Sequence, residues 1–398
     1  MLKRVDYLIV GGGMAADAAW AAIRRAESAS SVFMLSEEKH PAYQRPPLSK
    51  KLWTEERMED IWCASSGTGS IALTTLVSAI DPSQHQVHTA SGVSYEYRKL
   101  LLATGGRPRR LNDLGAEDDP DVIYFRSLDD YLKLYHAVET HSSVLVIGGG
   151  FVGAELAAQL AKLKKSVSII FPESGILGHV LPKDLAAHVS QVYVDHGVSI
   201  YANMRVLSVR HRSEGFEVQT DNHTLLTADV VVAGLGILPN IELAQAAQLT
   251  TGDGIFVDSL LRTNDPDVYA AGDVALFPWG GQGPHVRVEH EDNAISQGRL
   301  AGRNMTGAEK PYTHLPFFYS DLFHLGFEAI GRLDPSLTVY ADWMQRDEEG
   351  VLYYLDQDRV VGILNWNVWD KIKDARKILQ SGEKISDPSQ LKNRIKTT

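Results

Sequence analysis

Tyr7-Leu8-Ile9-Val10-Gly11-Gly12-Gly13-Met14-Ala15-Ala16 is the stretch on which the fold turns. Four apolar residues make a short buried strand, and three glycines lead into a helix from Ala15 to Arg25. A second strand, Ser31 to Leu35, ends at Glu37 and Glu38. In a Rossmann unit each piece has a mechanical reason. Gly11 permits the tight turn, Gly13 lets the backbone approach a pyrophosphate, and Ala16 allows close helix packing. An acidic residue at the end of the second strand can bond ribose hydroxyls.

The pattern recurs further along the chain. Val144-Leu145-Val146-Ile147 runs into Gly148, Gly150 and Gly153, a helix through Ala161, a strand from Ser166 to Ile170, and Glu173. One glycine fingerprint is a weak signal. Two, each with its strand, helix and terminal acid, predict two dinucleotide sites. Strand Lys99 to Leu102 running into Ala103-Thr104-Gly105-Gly106, and Val230 to Gly236 followed by Pro239-Asn240, read as strand exits that leave room for a ligand's backbone contact. Val268-Tyr269-Ala270-Ala271-Gly272-Asp273 places a carboxylate after a short apolar strand, at the expected start of a helix. There it could bond a polyol such as ribitol, or serve only as a helix cap.

Composition narrows the classes. A chain of 398 residues, 44% hydrophobic, has material for two or three domains. Met1-Leu2-Lys3-Arg4 leads at once into Tyr7 to Val10, too short for a signal core or a membrane span, so a soluble, cytoplasmic protein is the expectation. Cys63 is the single cysteine, which excludes an intrachain disulfide and a cysteine-ligated metal site; no metal is expected. A net charge of −11 argues against nucleic acid as a main partner.

Longer motifs resemble the FAD-dependent pyridine nucleotide oxidoreductases of the ferredoxin reductase and apoptosis-inducing factor branch. They are Tyr43-Gln44-Arg45-Pro46-Pro47-Leu48-Ser49-Lys50-Lys51-Leu52-Trp53, Gly148 to Glu155, Phe171-Pro172-Glu173 and Val288-Glu289-His290. Gly298 to Ala308 and Phe318-Tyr319-Ser320-Asp321-Leu322 are most similar to the apoptosis-inducing factor side. The resemblance implies an α/β protein with two glutathione-reductase-like Rossmann domains and a C-terminal α+β domain built on an antiparallel sheet. An FAD domain would comprise residues 1–112 and 239–314, an NADH domain 113–238 and a C-terminal domain 315–398. In the last, Phe327 to Leu333, Leu337 to Trp343, Val351 to Leu355 and Arg359 to Leu364 read as strands, with a hairpin turn at Asp356-Gln357-Asp358 and a helix from about Asp370 to Gln380.

The resemblance also implies site residues. Gly11, Gly12, Gly13, Met14, Ala15, Glu37, Glu38, Arg45, Lys50, Val77, Arg109, Asp273, His290, Glu291 and Tyr319 would meet FAD. Gly149, Gly150, Phe151, Val152, Glu155, Glu173, Gly236, Glu289, Glu328 and Asn367 would meet NADH. Lys50 and Glu155 would pair beside the isoalloxazine, Phe151 would stand over it until nicotinamide arrives, and His290 would sit at its edge as a proton donor. Glu173 is followed by Ser174 rather than Arg, so a 2′-phosphate would meet an uncompensated carboxylate, and NADH is expected over NADPH.

The chain departs from the pattern in places. Pro41 to Trp53 lacks the cysteines that thiol-using relatives carry there, and Cys63 lies in the loop-like Trp62 to Gly67, so a thiol relay is not expected. Tyr319 stands where Trp is usual, and His179 where the apoptosis-inducing factors have Lys. Only Met344 to Gly350 separate Trp343 from Val351, where those proteins carry an acidic insertion. The resemblance implies two functions. One is an NADH oxidoreductase passing electrons to a ferredoxin-like protein, a quinone or a dye. The other is a slow redox sensor that forms a charge-transfer complex of reduced FAD with NAD and becomes a homodimer on reduction.

Overall fold

A computed structural model describes residues 2–65 and 70–396. The chain divides into two compact units: Met1–Pro46, Arg57–Arg107 and Leu238–Pro316 form one, and Pro47–Glu56, Pro108–Ile237 and Phe317–Thr398 the other.

The first unit is built on a seven-stranded sheet in which Leu2–Val10 lies between Val32–Leu35 and Ser94–Leu102, parallel to both. Tyr7, Leu8 and Ile9 are wholly buried, which is what a continuous apolar run should do in a parallel sheet covered on both faces. Val268–Ala270 adds to Ser94–Leu102 in parallel, and Gln86–Thr89 and Val77–Asp81 continue the sheet antiparallel. Helix Met14–Ala26 buries Ala15, Ala16, Ala19, Ala22 and Ile23, so its contact face is almost all small residues.

The helix expected after Asp273 is absent. Gly272 adopts a φ of +82°, Ala275 N–H closes a turn onto Gly272 C=O at 2.9 Å, and the chain continues as strand Ala275–Pro278. All four of those residues are buried. An apolar run that short, ended by proline, suits a strand. The next helix is Glu291–Met305.

In the second unit, Ser143–Ile147 is the centre of a five-stranded parallel sheet, flanked by Ser166–Ile170 and Val230–Ala233. Helix Phe151–Lys162 comes directly after the second glycine turn. A second five-stranded sheet, antiparallel throughout, runs in the order Phe317–Leu322, Leu325–Gly331, Arg359–Trp366, Glu349–Asp356, Thr338–Gln345. Four of its strands match the expected runs within a few residues, and Phe317–Leu322 is an addition. The expected hairpin turn is present: Asp356 pairs with Arg359 across Gln357 and Asp358, which have φ of +47° and +61°, the pattern of a type I′ turn. The last helix is Ile372–Ser381, closed by Gly382 at a φ of +59°.

Among the described residues no helix is long and apolar enough to cross a membrane. Nor does any group of three His, Cys, Asp or Glu stand where it could share a metal ion.

Helices Met14–Ala26 and Glu291–Met305 approach through glycine. A methyl on Gly298 would fall 2.1 Å from Ala15 O, and one on Gly302 2.6 Å from Ala19 O. Gly298→Ala is therefore expected to lower stability by about 1–3 kcal/mol through overpacking. The check is the urea unfolding midpoint, which should fall; an unchanged midpoint would mean the two helices part at no cost.

Candidate functional sites at the two glycine turns

The two glycine turns share one backbone. Gly11 has a φ of +128° and Gly148 of +113°, and a methyl on either would strike a carbonyl of the neighbouring strand exit, Ala103 O at 2.1 Å and Gly234 O at 2.4 Å. No other residue fits either place. Gly13 and Gly150 then serve as N-caps, with φ/ψ of −91°/−169° and −80°/−171°, and neither helix start has a side-chain cap. Unsatisfied N–H groups and a positive dipole end at a bare glycine are what a pyrophosphate requires. Around Gly13 a Cβ would meet nothing within 4 Å, so there is room for a ligand.

Around the first turn, Glu38 accepts from Tyr43 Oη at 2.6 Å and pairs with Arg45. Glu37 is exposed at the strand end, and among the described residues it makes no side-chain bond, so of the two acids it is the one available to a ribose. Burial acts to lower the Arg45 pKa, but Tyr43, Glu38 and Asp273 together hold it above its ordinary value. Asp273 is thus within electrostatic reach of Arg45, and of His290 as well. Val77 gives its side chain to the core, which leaves only its backbone for a ligand.

His290 and Glu291 stand at the N-cap and first position of helix Glu291–Met305. His290 keeps a partial opening to solvent, yet burial pushes its pKa down to about 4 against the pull of Asp273 and Asp292. The imidazole is neutral at pH 7, so a cationic acid titrating near neutrality is not what this residue offers. Glu289, expected on the nicotinamide side, is exposed and accepts from Arg287 Nη1 at 2.6 Å. The Cys63 thiol is pushed up to about 12, by burial first and by Asp17 and Glu291 after it, and is inert at neutral pH. Of the loop expected around it, Ser66 and Gly67 lie outside the described residues.

In the second unit, the structure brings Lys50 and Glu155 together. They come from separate stretches of chain and form an ion pair in which Glu155 is 2% exposed and Lys50 8%. Ser49 Oγ donates to Glu155 Oε2 and Ser320 Oγ to Oε1, each at 2.6 Å, so the carboxylate has three donors. Neither serine stands out in the sequence. Both lie inside the longer motifs, but their role depends on a meeting in space that no spacing encodes. Lys50 Nζ also lies 5.0 Å from the centroid of Tyr319, whose ring is partly exposed.

Phe151 packs into an aromatic cluster with His179, Phe318 and Phe327 at centroid distances of 5.5, 5.3 and 6.2 Å. Val152 and Glu173 are half-buried, and Gly236, at a φ of +81°, has open space where a Cβ would be. Gly149 O accepts from Leu177 N–H at 2.8 Å, which folds the Glu173 loop back onto the turn. Arg109 has a buried Nε with no partner among the described residues, the state of a guanidinium waiting for an anion.

Two expected nicotinamide contacts have structural duties. Asn367 Oδ1 accepts from Gly326 N–H at 2.7 Å and its Nδ2 donates to Glu348 O at 2.8 Å, so each of its amide atoms has one partner. The Glu328 carboxyl is raised in pKa by burial, against the backbone N–H groups of Lys371 and Asp370, at the start of the last helix. Its Oε2 is buried with no partner among the described residues.

Comparison with known proteins agrees with this architecture. The family described as pyridine nucleotide-disulphide oxidoreductase matches residues 5–298, and the C-terminal domain of mitochondrion-associated apoptosis-inducing factor matches 301–349 and 341–381. The chain is 31% identical over 436 residues to mitochondrial apoptosis-inducing factor 1 of Dictyostelium discoideum, covering 99% of this chain and 82% of that protein. It is also 31% identical over 394 residues to the ferredoxin–NAD(+) reductase component of the anthranilate 1,2-dioxygenase system of Burkholderia cepacia, covering 97% and 96%. The crystal structure of the ferredoxin reductase for the CYP199A2 system of Rhodopseudomonas palustris superposes with a TM-score of 0.88 at 29% identity, covering 97% of this chain and 96% of that one. Two Rossmann-like parallel sheets, a C-terminal antiparallel sheet and these matches make the chain a member of the pyridine nucleotide-disulphide oxidoreductase family, in its ferredoxin reductase and apoptosis-inducing factor branch.

Proposed function

We propose that the protein is an FAD-dependent NADH oxidoreductase whose acceptor is a one-electron carrier protein. The observation that carries this reading is the buried Lys50–Glu155 pair, set on the helix that starts at the second glycine turn. FAD would occupy the domain of residues 1–112 and 239–314, NADH that of 113–238, with 315–398 forming the third. FAD, when bound, would supply the chemistry that accepts a hydride from NADH and releases electrons one at a time. The chain's own part is placement and charge. The Met14–Ala26 helix start would hold the FAD pyrophosphate, Glu37 its adenosine ribose, Asp273 its ribitol and Arg109 a phosphate. Lys50, held by Glu155 and 5.0 Å from the Tyr319 ring, would offer a cation to the negative charge that reduction adds. The Phe151–Lys162 helix start would hold the NADH pyrophosphate and Glu173 the ribose. The ferredoxin–NAD(+) reductase relative supports the class of acceptor.

A second reading, a sensor whose reduced state is itself the signal, is favoured by the match of residues 301–381 to the apoptosis-inducing factor C-terminal domain.

Three outcomes test these assignments. Lys50→Ala should slow flavin reduction by NADH at least about tenfold in anaerobic rapid mixing, a rise of ~1.4 kcal/mol in the barrier; a wild-type rate would remove Lys50 from the step. The wild type should favour NADH over NADPH at least about tenfold in kcat/KM, the worth of one hydrogen bond to a charged group. Glu173→Ala should erase that preference, and retained discrimination would place it elsewhere. Anaerobic titration with NADH separates the two functions: a lasting long-wavelength absorbance band, slow reoxidation in air and a shift to dimer would support the sensor, whereas fast carrier reduction by a monomer would exclude it.

A further inference from the structure

In helix Glu291–Met305, Gln297 has no exposed surface and shares the buried side with Ala294, Gly298 and Ala301. Its Oε1 accepts from Gly272 N–H at 2.9 Å, and its Nε2 is buried with no partner among the described residues. A buried amide that leaves a donor unpaired costs stability that an apolar side chain of similar size would not. What the residue contributes is therefore its one bond, made to a turn in a different part of the chain.

That turn joins strands Val268–Ala270 and Ala275–Pro278. Gly272 is buried in it at a φ of +82°, a conformation that glycine adopts without strain. Backbone bonds close the turn on both sides: Ala271 N–H donates to Leu102 O at 3.1 Å and Ala275 N–H to Gly272 O at 2.9 Å. Gly272 N–H goes to the Gln297 side chain instead. A methyl on Gly272 would fall 3.0 Å from Ala15 Cβ, so the turn lies against the start of helix Met14–Ala26. Gln297 reaches it because Gly298, its neighbour, lets the two helices approach so closely.

Asp273 is the next residue, and it is half-buried. Its carbonyl accepts from Arg287 Nη1 at 3.3 Å. The Arg287 side chain is only 10% exposed, pairs with Glu289 at 2.6 Å and stands 3.3 Å from Asp253. Gly254 makes room for its stem, since a methyl there would lie 3.1 Å from Arg287 Cδ. The backbone around Asp273 is thus held by two side chains, with Gln297 on the N–H before it and Arg287 on its own carbonyl.

Resting on the proposed binding of FAD in this domain, we propose that Gln297 and Arg287 are positioning residues that aim the Asp273 carboxylate at the polyol chain of the cofactor. A ribitol carries its hydroxyls on freely rotating bonds. A carboxylate that accepts from them restrains the chain only if its own backbone is restrained. Gln297 is wholly enclosed and Arg287 acts through a carbonyl, so both work through Asp273. A residue that merely braced the domain would matter equally whether or not position 273 carried a carboxylate.

The test is the rate at which the FAD-loaded enzyme releases its cofactor on dilution, read from the rise in flavin fluorescence. Gln297→Met and Arg287→Met should each speed release about tenfold, and Asp273→Ala at least as much. Added to Asp273→Ala, neither should speed release further, because nothing is left to position. An additive effect from either substitution, or wild-type release from it alone, would overturn that residue's positioning role while leaving Asp273 on the ribitol. Wild-type release from Asp273→Ala would overturn the ribitol assignment itself, and this inference with it. Should Gln297→Met fail to yield FAD-loaded protein, Arg287→Met decides by the same comparison.

Discussion

A carboxylate survives in an apolar interior only when its lone pairs are taken by donors, and Glu155 meets that condition in a helix whose neighbours are otherwise almost all apolar. Its three donors arrive from two places: Ser49 and Lys50 from the turns around residues 46–53, and Ser320 from the edge strand Phe317–Leu322. One buried charge therefore ties helix Phe151–Lys162 to the antiparallel sheet and to a loop that has little secondary structure of its own. Removing any partner would strand a charge, which costs far more than a surface pair is worth. The same bonds fix the height and direction of Lys50 beneath Tyr319, so the structural restraint and the proposed electrostatic role depend on the same atoms.

The two glycine turns present the complementary case, a single backbone used twice and differentiated by its surroundings. Their φ values, their bare glycine caps and their collisions with a facing carbonyl agree closely. The helices that leave the two turns differ. The first continues with Met14 and a helix face of alanines, which lets Glu291–Met305 approach close enough for Gly298 to meet Ala15. The second continues with Phe151, whose ring packs among three other aromatic side chains. A phosphate needs only the shared part, so specificity for one dinucleotide or the other has to come from the unshared residues.

Much of this is legible in the sequence because Rossmann units are short-range objects. Strand, turn, helix and acid all fall within a few dozen residues, and the strands expected at both glycine turns form close to their predicted places. Legibility ends where meaning depends on a partner. Gly272-Asp273 looks like a helix start, but the left-handed Gly272 turns the chain into buried strand Ala275–Pro278. Phe317–Leu322 carries a family likeness yet does not read as a strand, since Phe-Phe-Tyr gives no alternation until the pairing with Leu325–Gly331 sets its two faces. Ser49 and Ser320 are ordinary serines until Glu155 comes between them. His290 has an ordinary histidine pKa on paper, and only burial, which a sequence does not display, lowers it to about 4.

Net charge misleads for a similar reason. A sum of −11 suggests a molecule that repels acidic partners, and it weighs against a ferredoxin-like acceptor. Steering depends on where charge lies rather than on its total, because at physiological salt a surface charge acts over only about 8 Å. The cofactors demand the same glycines and ribose acids in any chain that binds them, whereas an electron acceptor needs only a patch of the right sign beside the redox site. The donor half of such an enzyme can therefore be read from local motifs, and the acceptor half only from the arrangement of the surface.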